Sequence, residues 1–481
     1  MRIVNQGDRL STKNSLTPSH ENGDRRNPKV AGSAGGGNLR RYSMEKYFLN
    51  DKSGRAYFQL PGTWKVIKHA MLKPEKTNKS ISQLLSDAIA HPIGTPPLVQ
   101  LVKGKKKITI IVDDNARPTP KRAILTPLLD YLMEHGVRNS QINVLIATGT
   151  HSPLPEAEIE ETFGETLCRE IKFINHNCHA DDLVSIGTLK HGGDLKIHPL
   201  AVEADLRIAV GSVLPHPFAG FGGGAKAVLP GIASYESIRN HHIALMLVKG
   251  VLMGNCESNP FLREIHDAGK LAKLDFIVNA VCDSDEDIKA IVAGHFEGAH
   301  RAGIEICSKE LGVHFDQAAE VTILSAFPYT DATQVMKPLA ASYAVTKKGG
   351  TMILYARHIK GGGFPVPLLE TFDAAFAMAR GNPRRLVTDH IRDKKPIIPG
   401  IPMDFNSALN MTLLYVSQTR MLLVSEDADE VQAARLGFEY ASSVQEAIDR
   451  VANDVPKATV NIMPSAGLVL PIVPESMRVQ W

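Results

Sequence analysis

Residues 108–120 read ITIIVDDNARPTP, an apolar run that ends abruptly in charged and turn-forming residues. The β-branched residues at 108–112 are typical of a buried parallel strand. Downstream, isoleucine and leucine recur at helical spacing between residues 124 and 132, and Gly136 stands where a helix would end. The next strand is predicted at 142–147, INVLIA. This order of strand, helix and strand indicates a βαβ unit.

The same alternation continues along the chain. Further strands are predicted at 206–213, 276–281, 321–326, 352–355 and 421–424. Helices are predicted at 155–163, 333–346, 366–380 and 443–453. Because strands that alternate with helices form parallel sheets covered by helices, we predict an α/β fold with two α/β domains.

The domain boundaries are predicted from composition and from the restart of the pattern near residue 320. Residues 1–45 include the Gly-rich run AGSAGGGN and are predicted to be a disordered N-terminal extension. Residues 46–310 are predicted to form the first α/β domain and residues 311–457 the second. The last segment, 458–481, contains one more strand, which we expect to return to the first domain.

The composition is that of an ordinary globular protein and excludes several function classes. The 54 basic and 51 acidic residues leave a net charge of +3, which gives no basic surface for nucleic acid. No apolar run is long enough for a membrane span, and residues 1–10 do not resemble a secretion signal. The five cysteines form no CxxC pair, which favours a reducing cytoplasm. We therefore expect a cytoplasmic enzyme without a nucleic-acid or membrane partner.

Polar clusters follow three of the predicted strands directly. Asp114 and Arg117 come after the first strand, His151 after the second and His216 after the third. Ligands of open parallel sheets bind outside the carboxyl ends of the strands, so we expect these side chains in one pocket. A single histidine is more often structural, and the prediction therefore depends on the three clusters together.

A glycine-rich loop follows the third cluster. Gly222, Gly223 and Gly224 come just before Lys226, and glycines let a phosphate approach backbone N–H groups closely. The loop is not a Walker A loop, because alanines flank the lysine on both sides. The spacing alone also fits a glycine-rich turn with an incidental lysine.

Two more segments carry candidate ligand groups. His241 and His242 are adjacent in a predicted helix, so only one of them can face a pocket, where its imidazole would suit nickel, zinc or copper. In the second domain, Thr333, Gln334 and Lys337 follow a predicted strand, and Lys337 could reach an anionic group across a cleft.

The order of these motifs resembles the nickel-dependent lactate racemase family. The matching segments are DDNARPTP (113–120), GTH (149–151), PHPFAGFGGGAKAVLPG (215–231), NHH (240–242) and DATQVMK (331–337). They run in family order through the whole chain except the N-terminal extension. Single segments such as GTH are common, but the combination is specific.

The resemblance implies an active site in the cleft between two α/β domains, with catalysis and cofactor binding in the N-terminal one. It implies a nickel pincer nucleotide, a pyridinium-3,5-dithio mononucleotide, tethered to Lys226. Nickel would be held by His242, with His241 as the second choice. The acid–base residues would be His151 and His216. The substrate would contact Arg117, Asp114 and Lys337, with Thr333 and Gln334 beside them.

The implied reaction is racemisation or epimerisation of a 2-hydroxy acid, by hydride transfer to the pyridinium ring. One departure concerns the substrate: the family commonly has a tyrosine where this chain has Thr333. A threonine leaves a larger and more polar pocket, so we expect a larger or more polar acid such as malate or an aldonate rather than lactate. The implied partners are the substrate and the cofactor-synthesis enzymes, and the sequence does not give the oligomeric state.

Two alternative functions stay open at this point. One is a nicotinamide-dependent dehydrogenase or a phosphate-binding transferase of α/β fold. The other is a non-catalytic relative that keeps the fold to bind a ligand. A covalent adduct on Lys226 would argue against the first, because soluble cofactors dissociate. The presence of His151, His216, Arg117 and Lys226 together argues against the second, because simple binding needs no pair of opposed bases.

Overall fold

The computed structural model describes residues 42–73, 76–282, 287–330, 332–358 and 361–477. Of the predicted N-terminal extension, residues 1–41 lie outside the described residues. The first strand of the described residues begins at Tyr42, four residues before the predicted start of the first domain at residue 46.

The strands of the described residues are numbered in chain order. They are β1 (Tyr42–Asp51), β2 (Gly54–Pro61), β3 (Lys65–His69), β4 (Ile108–Asp113), β5 (Ile142–Ala147), β6 (Lys172–Asn175), β7 (Val184–Leu189), β8 (Gly193–Ile197), β9 (Leu206–Ser212), β10 (Pro215–His216), β11 (Gly220–Phe221), β12 (Phe276–Cys282), β13 (Ile288–Gly294), β14 (Gly312–His314), β15 (Ala319–Ser325), β16 (Thr346–Tyr355), β17 (Arg420–Val424), β18 (Glu439–Ala441), β19 (Thr459–Met463) and β20 (Leu470–Ile472).

The α-helices are numbered in the same way. They are α1 (Ile81–Ala90), α2 (Leu98–Leu101), α3 (Lys121–Glu134), α4 (Glu156–Phe163), α5 (Glu165–Glu170), α6 (Pro199–Glu203), α7 (Tyr235–Leu245), α8 (Pro260–Leu271), α9 (Gly298–Leu311), α10 (Pro338–Tyr343), α11 (Val366–Ala379), α12 (Pro383–Arg392), α13 (Met403–Val416), α14 (Glu430–Arg435) and α15 (Val444–Asp454). Short 3₁₀ helices cover Asn139–Gln141, Gly224–Ala227, Ala332–Met336 and Glu475–Met477. None of the described helices is long and apolar enough to cross a membrane.

The first large sheet has the strand order β13-β12-β9-β4-β5-β6. Its strands are parallel except for β13, which pairs antiparallel with β12 at one edge. Residues 108–112 are all buried, as the β-branched run predicts for a strand covered on both faces. The carboxyl ends of β4, β5 and β9 therefore meet at one edge of this sheet.

The second large sheet has the order β18-β17-β16-β15-β19-β3, and all its pairings are parallel. An antiparallel hairpin of β1 and β2 covers part of it. Leu49, Phe58, Leu60 and Trp64 from this N-terminal region pack in one core cluster with β15, β16, β17 and α15. The α/β class with two sets of parallel strands and helices is thus confirmed.

Two chain segments lie in a different sheet from the one that the sequence predicts. The strand β19, expected to return to the first domain, lies between β15 and β3 in the second sheet. The strand β3, predicted to be part of the first domain, forms the edge of the same sheet. The sequence pattern of a strand does not show which other strand it pairs with. In the structure, the apolar side chains of β1 and β2 are buried against the second sheet.

One helix prediction also needs correction. The helix predicted at 333–346 is two pieces, the 3₁₀ helix Ala332–Met336 and α10, and strand β16 begins at Thr346. Pro338 stands at the first position of α10, where its missing N–H costs no hydrogen bond but ends the preceding turn. This break leaves Thr333, Gln334 and Lys337 on a short segment rather than on one helix face.

Candidate active site

One cavity of about 180 Å³ lies between the carboxyl ends of β4, β5 and β9 and the segment formed by residues 333–340 and α13. A single water molecule needs roughly 10–15 Å³ of cavity volume, so the cavity has room for a ligand of several heavy atoms. It is lined by eleven of the twelve predicted site residues: Asp114, Arg117, His151, His216, Gly223, Gly224, Lys226, His242, Thr333, Gln334 and Lys337. Gly222 does not line it.

His151 is paired with Asp114 across the ends of β5 and β4. The Nδ1–H of His151 donates to Oδ2 of Asp114 over 2.5 Å, and Asp114 is buried. Burial alone would lower the pKa of His151, but the charge and hydrogen bond of Asp114 outweigh it and raise the pKa. Burial would raise the pKa of Asp114, but His151 and Arg117 outweigh it and lower the pKa. The pairing leaves Nε2 of His151 to exchange a proton with a ligand.

His216 has a different environment. Its Nδ1 accepts hydrogen bonds from the backbone N–H groups of Phe218 and Ala219, each over 3.2 Å. In the neutral ring the proton therefore sits on Nε2. Burial, followed by the charges of Lys226 and Arg117, holds the pKa of His216 well below its ordinary value. The two histidines thus line the same cavity with pKa values that are shifted in opposite directions.

Lys226 lies on the 3₁₀ helix Gly224–Ala227 and is almost fully buried. Burial, and then the charge of Arg117, lower its pKa to about 7. An ordinary lysine has a pKa near 10.4, so Lys226 is neutral, and hence nucleophilic, in a much larger share of molecules.

The glycines before Lys226 shape the loop. Gly223 and Gly224 have positive φ angles of 83° and 59°, and a Cβ on Gly224 would lie 2.8 Å from the ring of His300. The N–H of Gly224 donates to Oδ1 of Asn279, and the N–H of Gly222 donates to the carbonyl of Leu214. Both N–H groups are thus bound within the protein, and the predicted phosphate cradle does not include them.

The adjacent histidines of α7 point to different places, as helix geometry predicts. The helix begins after Ser234, whose side chain accepts from the N–H of Ser237. His242 lines the cavity, whereas Nε2 of His241 bonds the carbonyl of Phe261. Between the two, the geometry favours His242 as the ligand group.

His242 is held as a neutral imidazole. Its Nδ1–H donates to the carbonyl of Ile238 over 2.9 Å, which leaves the lone pair on Nε2. Burial, and then the charge of Lys226, lower the pKa of His242 to about 3. The described residues contain no cluster of three or more His, Cys, Asp or Glu side chains that could hold a metal ion. A metal at His242 would therefore need most of its ligands from outside the protein.

Three cationic side chains converge on the cavity: Arg117, Lys226 and Lys337. Burial, and then the charge of Arg117, hold the pKa of Lys337 well below its ordinary value. Mutual repulsion of buried cations is relieved by an anion, so the cavity is suited to a carboxylate or a phosphate.

Residues that were not predicted as site residues also line the cavity. Asp113, which the sequence placed in the first strand-end cluster without a role, lies at the end of β4, and Asn279 is buried in the middle of β12. An asparagine within the run FIVNAV was a readable signal, because a lone polar residue in a buried strand needs a partner. Asp404 comes from α13, a helix that was not predicted, and its side chain could not have been placed from the sequence.

The fold and the cavity together are those of an α/β enzyme with histidine and basic side chains at the carboxyl ends of its parallel strands. Residues 53–253 match the family described as lactate racemase N-terminal domain. Lactate racemase of Thermoanaerobacterium thermosaccharolyticum is 39% identical over 293 residues, which are 60% of this chain and 68% of that protein. Lactate racemase of Lactiplantibacillus plantarum is 31% identical over 393 residues, 80% of this chain and 89% of that protein.

The solved structures agree. The lactate racemase apoprotein of Thermoanaerobacterium thermosaccharolyticum superimposes with a TM-score of 0.79 at 30% identity and covers 90% of this chain and 100% of its own. A protein of Thermotoga maritima shares the fold, with a TM-score of 0.60 at 19% identity over 84% of this chain and 100% of its own. The chain belongs to the lactate racemase family, and it is an isomerase of the racemase type.

Proposed function

We propose that the protein racemises or epimerises 2-hydroxy acids and carries a nickel pincer nucleotide on Lys226. The observation behind the proposal is the single cavity that brings His151 and His216 together with Arg117, Lys226 and Lys337. Two histidines suit a substrate that loses and regains a hydroxyl proton on either side, and the cations suit its carboxylate.

The residues present fit such a cofactor. Lys226, with a pKa of about 7, has the neutral amine that a covalent tether requires. His242 offers a neutral imidazole with a lone pair on Nε2, the form that binds a metal. A group that brings its own sulfur ligands needs only one ligand from the protein, which agrees with the lack of a larger metal-binding cluster among the described residues. When bound, the nucleotide supplies a pyridinium ring that accepts the C2 hydrogen as hydride and returns it.

The side chains of this chain position the substrate and hold its protons. Arg117 and Lys337 bind the carboxylate, which fixes C2 in the cavity. His151 takes the hydroxyl proton at Nε2 while Asp114 stabilises the imidazolium that results. His216 serves the opposite enantiomer. Its two backbone donors at Nδ1 favour the Nε2–H tautomer, so it must change tautomer before it can act as a base.

The test uses protein produced together with the cofactor-synthesis enzymes, which are the partners that this proposal requires. We expect a covalent mass adduct and bound nickel, and both should be lost in Lys226→Ala. His242→Ala should lose nickel and keep some adduct. Lys249→Ala, which changes an exposed lysine, is the matched control and should keep both. His151→Asn and His216→Asn should each abolish racemisation of a 2-hydroxy acid in a chiral assay.

Two results would contradict the proposal. A full complement of nickel in Lys226→Ala would show that Lys226 does not tether the cofactor. Reversible binding of a nicotinamide cofactor without any covalent adduct would favour the alternative function, a nicotinamide-dependent dehydrogenase. The cytoplasmic location and the absence of a nucleic-acid or membrane partner, both predicted from composition, are part of the same proposal.

A further inference from the structure

Thr333, Gln334 and Asp404 form a connected polar cluster in the cavity wall. The hydroxyl of Thr333 donates to Oδ2 of Asp404 over 3.2 Å, and Nε2 of Gln334 donates to Oγ1 of Thr333 over 3.3 Å. Thr333 and Gln334 are buried on the 3₁₀ helix Ala332–Met336, and Asp404 belongs to the first turn of α13. The cluster therefore joins two elements on one side of the cavity.

The hydrogen bonds fix the orientation of each group. Thr333 has one hydroxyl hydrogen, which it gives to Asp404, so it can only accept from Gln334. The amide of Gln334 must then turn its Nε2 toward Thr333 and its Oε1 away. The network itself thus assigns the amide oxygen and nitrogen.

Two oxygens of the cluster have no partner among the residues that the structure describes. Oδ1 of Asp404 and Oε1 of Gln334 are both buried and make no hydrogen bond. Both atoms can only accept, so a ligand that satisfies them must bring donors. A methyl group, as in lactate, would leave both oxygens unsatisfied.

The charge of the cavity limits which donors fit. The negative charge of Asp404 adds to the raised pKa of His151, and it partly offsets the burial and the charge of Arg117 that lower the pKa of Lys337. A second carboxylate placed beside Asp404 would be repelled. An amine would be repelled by Arg117 and Lys337. Neutral hydroxyl groups avoid both penalties.

We infer that Asp404, Thr333 and Gln334 select 2-hydroxy acids that carry further hydroxyl groups beyond C2, and that Asp404 excludes dicarboxylates. This inference rests on the proposed function. It assigns specificity to Asp404 and separates the two kinds of polar acid that the sequence leaves equal: aldonates are favoured and malate is not.

The experiment measures kcat/KM of the cofactor-loaded protein for lactate, malate and a four-carbon aldonate by chiral chromatography. We expect the aldonate to exceed lactate by roughly 5- to 150-fold, the range that one unsatisfied buried polar group accounts for. Gln334→Met removes Oε1 at nearly constant size and should reduce the ratio of aldonate to lactate. Asp404→Asn removes the charge at constant shape and should raise the ratio of malate to aldonate.

The control is Asp373→Asn on α11, an exposed aspartate paired with Arg435, which should leave all ratios unchanged. If the loaded protein prefers lactate or malate, or if Asp404→Asn leaves the malate ratio unchanged, the inference is wrong while the proposed function stands. If protein with adduct and nickel converts none of these acids, the proposed function fails, and the inference fails with it.

Discussion

At the scale of single residues, the two histidines of the cavity differ because their Nδ1 atoms have different partners. His151 gives its Nδ1 proton to a carboxylate, whereas Nδ1 of His216 accepts from two backbone N–H groups. The first partner stabilises a charged ring and the second a neutral one. The proposed racemisation, which interconverts two mirror-image acids, would thus use two histidines in different environments.

The first prediction concerns Asp114→Asn. Without the carboxylate charge, burial dominates, and the pKa of His151 should fall relative to the unmodified protein. The change also removes the group that fixes the ring tautomer, so turnover of the loaded enzyme should drop on the order of 10²- to 10⁴-fold. Proton NMR of the histidine rings against pH measures the pKa, with a His151→Gln variant for assignment.

Exposed His135 is the internal control, because it lies outside the cavity and its resonances should be the same in both proteins. An unchanged or higher pKa for His151 in Asp114→Asn would show that Asp114 is not the cause of the raised value.

The second prediction concerns the amine of Lys226 in protein without cofactor. A lysine reacts with acetic anhydride only when neutral, so acetylation of Lys226 should rise with pH through about 7. Acetylation of the lysine in a short reference peptide should keep rising to much higher pH, because an ordinary lysine has a pKa near 10.4. Arg117→Gln removes the neighbouring positive charge, so the pKa of Lys226 and the midpoint of its acetylation should both move up.

Peptide mass spectrometry after brief labelling measures Lys226 and the reference peptide in one sample. A midpoint for Lys226 that coincides with that of the reference peptide would contradict the lowered pKa and weaken the case for a tether.

At the scale of elements, the glycine-rich loop shows which part of a motif is structural. Gly224 combines a positive φ angle with a close approach to His300, and its N–H bonds Asn279. His300 also donates its Nε2–H to the carbonyl of Gly222. The loop is therefore held in place by Asn279 and His300, and its glycines serve mainly to bring Lys226 into position.

The third prediction compares two alanine substitutions in this loop. In Gly224→Ala the new Cβ meets the His300 ring at 2.8 Å on a left-handed backbone, which should destabilise the protein by about 2–4 kcal/mol. In Gly222→Ala the nearest atom lies at 3.5 Å, so the loss should stay within about 1 kcal/mol. Urea denaturation of both variants gives the difference. Equal stabilities would mean that the loop relaxes freely.

The elements that the sequence predicted well are those with a strong local pattern. Strands β4, β5, β9 and β12 agree with the predicted runs to within one residue, and Gly136, with φ of 85°, follows the end of α3. The helix α13 was missed because its apolar residues do not form a clean stripe, since the helix is buried on most sides. Asp404 was missed with it, although this residue completes the cavity wall.

At the scale of the whole molecule, the order of the strands along the chain differs from their order in the sheets. The sequence predicted two α/β units and the positions of the strand-end clusters, because both depend on local periodicity and on a general property of parallel sheets. It did not predict that β3 and β19 are neighbours, since strand pairing across almost 400 residues leaves no local trace. The N-terminal segment of the described chain thus completes the sheet of the C-terminal half.

The last prediction follows from the pairing of the N-terminal strand β3 with the C-terminal strand β19. A fragment of residues 311–481 lacks β1, β2 and β3, and so loses Leu49, Phe58 and Leu60 from the core of the second sheet. Each buried side chain contributes about 1.5–3 kcal/mol, together roughly 5–9 kcal/mol, which is comparable with the whole stability of an ordinary domain, about 5–15 kcal/mol. The fragment alone should therefore show no cooperative urea transition, and a peptide of residues 42–72 should restore one.

Trp64 of the peptide reports the docking, because it is buried in the intact protein and its Nε1–H donates to the carbonyl of Val455 over 2.9 Å. With Trp481→Phe in the fragment, Trp64 is the remaining tryptophan, and its emission should shift to the blue on binding. A control peptide with Leu49→Asp and Leu60→Asp should neither bind nor restore the transition, since two buried charges cost more than docking gains. A fragment that unfolds cooperatively without the peptide would mean that the second sheet is stable without its N-terminal strands. The pairing of β3 with β19 would then be part of the topology of the fold without being needed for its stability.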